Sequence, residues 1–186
     1  MLDEPFRCQI CRLHQRGCIC ALVERLGNRT PIFVLRHRAE QNRSSNSVRL
    51  AALALERLTL VDYGGIGDVL DLDALVAEGT ALVFPGGQAT LPNPPARLLL
   101  LDGTWGQCRR MLQRHPRLAA LPRLSVESTP RVRFRRAAPG GVSTLEAIAA
   151  ALASVGEPEH REPLLRLYDA AVARSRPTNW PHYRES

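Results

Sequence analysis

Arg97-Leu98-Leu99-Leu100-Leu101-Asp102-Gly103-Thr104-Trp105-Gly106-Gln107 is the stretch on which the fold turns. Its leucines form an unbroken apolar run, the pattern of a strand covered on both faces, as strands of parallel sheets are. The run ends abruptly in a carboxylate, a glycine and a threonine suited to cap a helix. Beyond that point Trp105, Cys108, Met111 and Leu112 fall on one side of a helix, leaving Arg109, Arg110 and Arg114 to face elsewhere. A buried strand feeding directly into a helix is one unit of an α/β fold.

Upstream, Thr30 to Leu35 reads as a buried strand ending at Arg36-His37-Arg38. A helix follows with Asn46 as N-cap and Val48, Leu50, Ala51, Ala54, Leu55 and Leu58 as its apolar stripe. The turn-rich segment from Tyr63 to Asp68 leads to a short helix opened by Asp71. Ala81 to Phe84 is then a strand with Pro85-Gly86-Gly87 as its exit. Downstream, Leu124–Val126 and Val132–Phe134 are candidate strands, the second inside the basic run Arg131 to Arg136. Ser143-Thr144-Leu145-Glu146 is a capping box opening a helix with Leu145, Ile148, Ala149 and Leu152 on one face. A final amphipathic helix runs from about Glu162 to Arg174. Strands and helices alternate, so the expected class is α/β: a mostly parallel sheet with helices on both faces.

The length, 186 residues, suits one domain with a small appendage. No apolar stretch approaches the roughly 20 residues that cross a bilayer, which excludes an integral helical membrane protein and predicts no membrane partner. The start, Met1-Leu2-Asp3-Glu4-Pro5, lacks a basic segment leading into an apolar one, so a cytoplasmic protein is expected. The net charge of +7 favours a polyanionic partner. Every basic residue other than histidine is arginine, whose planar fork suits phosphate and base contacts. Arg36, His37, Arg38, Arg43, Arg109, Arg110 and the arginines from Arg131 to Arg136, among them Arg133 and Arg135, are the candidate contacts to such a partner's phosphates.

Four of the five cysteines lie in the first twenty residues as Cys8-x2-Cys11-x6-Cys18-x-Cys20. Two close pairs of thiolates complete a tetrahedral sulfur set, the closed geometry of structural zinc. An iron–sulfur cluster and two disulfides use the same residues and stay open as alternatives. Residues 1–26 are therefore read as a zinc knuckle and 27–186 as the main domain. Arg7, Arg12, His14 and Arg16 surround the cysteines, and Cys108 stands apart.

Ligands of open α/β sheets bind beyond the carboxyl ends of the strands, where Asp102 to Trp105 would sit. Asp102 places a carboxylate at that edge, Thr104 caps its helix and exposes the amides there, and Trp105 anchors the core or offers a surface for stacking a base. A bland alternative makes all three purely structural.

Asp102-Gly103-Thr104-Trp105 resembles the signature of the DTW-domain family of tRNA-uridine aminocarboxypropyltransferases. The cysteine cluster resembles the family's opening, Leu35-x-His37-x-x-Glu40 with Arg43 and Asn46 its first loop, Phe84-Pro85-Gly86 its second and Ser143 to Ala147 its last. Ser47, Arg38 and Cys108 depart from the usual pattern. The resemblance implies a SPOUT-like fold with a C-terminal trefoil knot that binds S-adenosylmethionine. It implies transfer of the 3-amino-3-carboxypropyl group to N3 of a tRNA uridine, at position 47 of the variable loop, with release of methylthioadenosine. Asp102, Thr104 and Trp105 would then be catalytic. Leu35, Pro85, Gly86, Leu101, Gly103, Ser143, Thr144 and Leu145 would hold the cofactor, and Asn46 would join the RNA contacts. A SPOUT-type RNA methyltransferase, a noncatalytic zinc-bearing RNA-binding protein and a cysteine-based redox sensor are the rival readings.

Overall fold

Parity along the strands organises the molecule. A computed structural model describes residues 6–65, 70–127, 134 and 142–175. Among these residues five strands form one sheet in the order β2-β1-β4-β3-β5. They are β1 (Ile32–His37), β2 (Leu58–Tyr63), β3 (Thr80–Gln88), β4 (Arg97–Asp102) and β5 (Arg123–Leu124). Each neighbouring pair runs parallel. The helices are α1 (Arg38–Gln41), α2 (Val48–Ala54), α3 (Leu72–Leu75), α4 (Trp105–Arg114), α5 (Pro116–Ala119), α6 (Thr144–Ser154) and α7 (Arg161–Ser175).

Successive side chains of a strand face opposite sides. Ile32, Val34, Leu98 and Leu100 accordingly pack with α2, α6 and α7, while Leu35, Leu82 and Leu99 pack with Leu75, Met111 and Leu118 on the other face. Helices thus cover both faces, as the continuous leucine run requires. Near the N-terminus, Cys11, Leu13 and Ile19 join the same core as α6 and α7.

The helix over residues 46–58 is shorter than its apolar stripe suggests. It closes at Ala54 with Leu55 as C-cap, and Leu58 opens β2, a strand the stripe concealed. β2 lies at the sheet edge and is only partly buried throughout, so polar Thr59 and Asp62 interrupt its apolar pattern. Ser47, not Asn46, occupies the N-cap of α2, yet the Asn46 side-chain oxygen Oδ1 accepts the Arg49 N–H at 3.2 Å and does the capping. β1 runs on to His37 and β3 through the Pro85-Gly86-Gly87 exit to Gln88. The candidate strand at 124–126 is confined to Arg123–Leu124. That at Val132–Phe134 lies outside the described residues except for Phe134. Asp71 and Ser143 cap their helices as read, the latter in a complete capping box with Glu146.

One buried carboxylate ties the ends of the domain together. Glu157, between α6 and α7 and 1% exposed, accepts the backbone N–H of Arg29 at 2.7 Å and of Thr30 at 2.8 Å, fixing the chain as it enters β1. Burial alone would raise its pKa, but the bonds from Thr30 and Arg29 hold the carboxyl below the usual range. The stabilisation is therefore present above the unfolded value, about 4.3, and lost as pH falls through the lower folded one. Glu157→Gln is expected to lower stability at pH 7 by about 1–3 kcal/mol, since one acceptor becomes a donor facing a donor. Denaturant titrations of variant and parent should converge as the pH is taken from about 5 toward 3.

Candidate active site

Even-numbered β4 side chains face α6, and Asp102 follows Leu98 and Leu100 to that side. It is 5% exposed. Asn46 Nδ2 donates to Oδ2 at 2.6 Å and Thr144 Oγ1 donates to Oδ1 at 2.6 Å. Three chain segments meet there: the end of β4, the entry to α2 and the first turn of α6. Ser47 Oγ adds a bond from the Leu145 N–H at 3.4 Å. Burial raises the Asp102 pKa above its ordinary value against the pull of Thr144 and Asn46, and buried Glu40 adds to the rise.

Next to this junction a cleft with about 150 Å³ of free volume opens over the ends of β3 and β4. Pro85, Leu101, Gly103, Ser143 and Thr144 line it, together with Phe84, Trp105 and Cys108. Gly86 follows Pro85 at φ 82°, a left-handed backbone that glycine alone adopts without strain, with open space where a Cβ would stand. Leu35 and Leu145 are wholly buried in the two cores, and neither lines the cleft. Asp102 is not among the lining side chains; it stands behind Gly103 and Thr144.

Thr104 closes a capping box, accepting the Gln107 N–H at 3.3 Å and donating its own N–H to Gln107 Oε1 at 2.7 Å. Trp105 departs from the buried stripe that helical spacing gave it. It is 43% exposed at the cleft rim, edge-on to Phe84 with ring centroids 5.6 Å apart. As the first residue of α4 it lies past the sheet edge that Cys108 and Met111 pack against.

The basic candidates separate. Arg36 is 8% exposed and grips Asp62 through two bonds, Nε to Oδ1 at 2.7 Å and a terminal nitrogen to Oδ2 at 3.1 Å, so its charge is spent within the protein. Asn46 is likewise occupied by Asp102 and Arg49. Arg43, Arg109 and Arg110 are exposed. His37 is half-buried and caps α1, its Nδ1 accepting the Ala39 N–H at 3.1 Å. Arg133 and Arg135 lie outside the described residues. Sequence reading gave no role to Glu40, which is 2% exposed and within 3.4 Å of Arg43 Nε, or to Val126, Val142 and Ala147 in the cleft wall. Its only signal for Glu40 was the spacing from His37.

The four N-terminal cysteines converge, their sulfurs all within 4.8 Å of one another. Cys8 and Cys20 are separated by 3.6 Å and Cys11 and Cys18 by 3.9 Å. Zinc–sulfur bonds of about 2.3 Å in a tetrahedron give sulfur–sulfur edges of about 3.8 Å, so the set fits zinc. The spacings are far beyond a disulfide bond of about 2.05 Å, and all five cysteines are free. Arg12 takes φ 61° directly after the first pair, turning the chain so that backbone amides point at sulfur. Burial opposes ionisation of Cys8, but bonds from the amides of Cys11 and Ile10 bring its pKa down to about 6.

The DTW-domain model matches residues 5–176. The chain belongs to the DTW-domain family. It is 29% identical over 117 residues to tRNA-uridine aminocarboxypropyltransferase 2 of Mus musculus, covering 55% of this chain and 39% of that protein. To the protein of the same name from Macaca fascicularis it is 27% identical over 182 residues, covering 86% of this chain and 60% of the relative. This DTW-domain chain therefore spans between about two fifths and three fifths of those relatives' length. Among solved structures it resembles the SAM-dependent rRNA:acp-transferase Tsr3 from Vulcanisaeta distributa. The TM-score is 0.53 at 20% identity, with 77% of this chain and 75% of that one covered, a likeness of fold.

Proposed function

We propose that this DTW-domain protein transfers the 3-amino-3-carboxypropyl group of S-adenosylmethionine to N3 of an unpaired tRNA uridine, at position 47 of the variable loop, and that it acts in the cytoplasm. The observation that carries the reading is the cleft at the strand ends, walled by the Gly103-to-Trp105 turn and the first turn of α6, with buried Asp102 behind it. Family membership and the names of the relatives support it. The trefoil knot implied by the family belongs to the same reading, as does a structural zinc ion on Cys8, Cys11, Cys18 and Cys20 that folds residues 1–26 onto the main domain.

The cleft's apolar wall of Leu100, Leu101, Val83 and Phe84 suits an adenosine ring, and the α6 N-terminus at Ser143 and Thr144 turns the positive end of its dipole toward a carboxylate. The cofactor supplies a sulfonium carbon as electrophile, and methylthioadenosine is what leaves. Which of the three carbons on sulfur reacts is a matter of which one the walls turn toward the nucleophile. Uridine N3 holds its proton at neutral pH, so the reaction needs a base, and the raised pKa of Asp102 moves it toward that task. N3 is paired within a helix, hence the unpaired target.

Incubating the protein with S-adenosylmethionine and bulk tRNA, then analysing nucleosides and by-products by mass spectrometry, tests this. Acp-modified uridine with methylthioadenosine supports the reading. S-adenosylhomocysteine with a methylated base replaces it by a methyltransferase, and no change in either replaces it by a binding protein. Exposed Arg109 and Arg110 on α4 are the proposed phosphate contacts. Replacing both by glutamine is expected to weaken tRNA binding about tenfold and to flatten the slope of log K against log salt by up to about 2. S-adenosylmethionine binding, measured by calorimetry, should not change.

A further inference from the structure

His37 ends β1 beside the glycine of the Asp102-to-Trp105 turn. The register pairs Arg36 with Asp102, which brings His37 level with Gly103, and a Cβ built on Gly103 would lie 3.4 Å from the His37 Cβ. Gly103 lines the cleft and His37 does not, so residue 37 stands beside the cleft, next to that glycine. Two features define its chemistry. Nδ1 accepts the Ala39 N–H at 3.1 Å, so in the neutral ring the proton must sit on Nε2. Among the described residues no hydrogen bond engages Nε2. The ring of Tyr63 backs it, with centroids 6.4 Å apart.

We propose that the Nε2–H of His37 donates to a carbonyl oxygen of the target uracil and steadies the negative charge that spreads onto that oxygen when N3 loses its proton. The proposal rests on the aminocarboxypropyl-transfer reading and assigns it a second group besides Asp102. Loss of the N3 proton leaves an electron pair shared by N3 and the two flanking carbonyl oxygens. That pair then forms the N3–carbon bond as the carbon–sulfur bond breaks toward sulfur. A donor at one oxygen lowers the cost of the anion without taking the proton itself, the role of an oxyanion-hole group. The imidazole has to stay neutral so that Nδ1 can keep accepting from Ala39. Burial first, then Arg110, Arg38 and Arg114, depress its pKa, against the opposing pull of Glu40. It is therefore unprotonated at pH 7 and acts as a fixed donor rather than as an acid or base.

Two substitutions separate this role from capping. The oxygen of an asparagine side chain falls where Nδ1 lies, so His37→Asn keeps the α1 cap and loses the distal donor. The nitrogen of a glutamine side chain reaches the Nε2 position, so His37→Gln keeps the donor and loses the cap. Single-turnover rates with saturating S-adenosylmethionine and tRNA are expected to fall about 10²-fold for His37→Asn, the typical loss for one oxyanion donor. His37→Gln should stay within about fivefold of the parent. The pH dependence of both between 7 and 8.5 should keep the parent's shape, because no proton is exchanged at residue 37. Parent-like turnover in His37→Asn, a loss in His37→Gln as deep as in His37→Asn, or a limb within that range that vanishes with the imidazole would each overturn the proposal. Thermal melts of both variants identify any loss that is merely unfolding. If the parent protein itself forms no acp-uridine, the transfer reading fails instead, which keeps the two failures apart.

Discussion

Asp102→Asn is expected to leave the fold standing and to cut single-turnover aminocarboxypropyl transfer by about 10²- to 10⁴-fold, the usual cost of losing a general base. The stability side follows from the two bonds to the carboxylate. Asn46 Nδ2 can only donate, and Asn46 is held in place because its own oxygen accepts from Arg49 N–H. Thr144 Oγ1 can donate or accept. An asparagine at 102 therefore settles with its oxygen toward Asn46 and its amide nitrogen toward Thr144, and both bonds survive. Relief of charge offsets what is lost. A carboxylate whose folded pKa is raised destabilises the fold above that pKa, and the penalty disappears below the unfolded value. The neutral isostere escapes this penalty at pH 7, so its Tm should lie within a few degrees of the parent's.

The same variant separates the two jobs open to Asp102. As base, it gives the parent a rate that climbs with pH through a value above the ordinary carboxylate range, and Asp102→Asn loses that limb while binding S-adenosylmethionine normally. As partner of the cofactor's ammonium group, it gives a variant whose affinity for S-adenosylmethionine drops about 10- to 100-fold, the worth of one charged hydrogen bond. Full activity with unchanged affinity would refute both. Thr144→Val offers a control: it removes one bond to Asp102 and keeps the charge, so its loss should be much smaller than that of Asp102→Asn.

What the chain discloses of itself depends on how local each signal is. The leucine run into Asp102 and the boxes at Thr104 and Ser143 could be read directly, because a strand's burial and a helix's first turn are set by residues within a few positions. β2 could not, since an edge strand half-covered along its length carries Thr59 and Asp62 within the run and has Leu58 in phase with the preceding helix. The fate of Arg36 turned on Asp62, twenty-six residues away, and that of Asn46 on Asp102, fifty-six away. Both look like free polar groups until the sheet order brings β1 between β2 and β4. Trp105 was open between the core and an exposed ring for a different reason. Helical periodicity assigns a face but does not say where the supporting sheet ends, and α4 starts beyond that edge. The cysteine cluster was legible because its geometry is local in sequence. Its contribution to the rest of the domain was not.

That contribution sets the size of the last expected result. Stripping metal from the four cysteines, or replacing Cys8 with serine, is expected to lower the Tm by about 10–20 °C while one equivalent of zinc per chain is lost. The segment from Arg7 to Cys20 has few apolar side chains, yet Leu13 and Ile19 are 3% and 0% exposed and Cys11 is 1% exposed, all within the core shared by α6 and α7. Gly17 packs so close to α7 that a Cβ there would come within 2.6 Å of the Arg174 carbonyl oxygen, and Arg174 donates to the Cys18 carbonyl at 2.6 Å. Without the ion, nothing local replaces what the metal contributes to folding the knuckle. Releasing Leu13 and Ile19 forfeits roughly 1.5–3 kcal/mol each, with a smaller term for Cys11. The sum, on the order of 5 kcal/mol, is comparable with the whole stability of many domains and corresponds to about 10–20 °C for a chain of this size. Differential scanning calorimetry with and without a chelator measures it, and metal analysis of the same samples identifies the ion. A melt unmoved by complete zinc loss would show that the knuckle holds itself on α7 without metal. Visible absorption from an iron–sulfur chromophore, or fewer than five titratable thiols after denaturation of the metal-free protein, would replace zinc by the cluster or by disulfides.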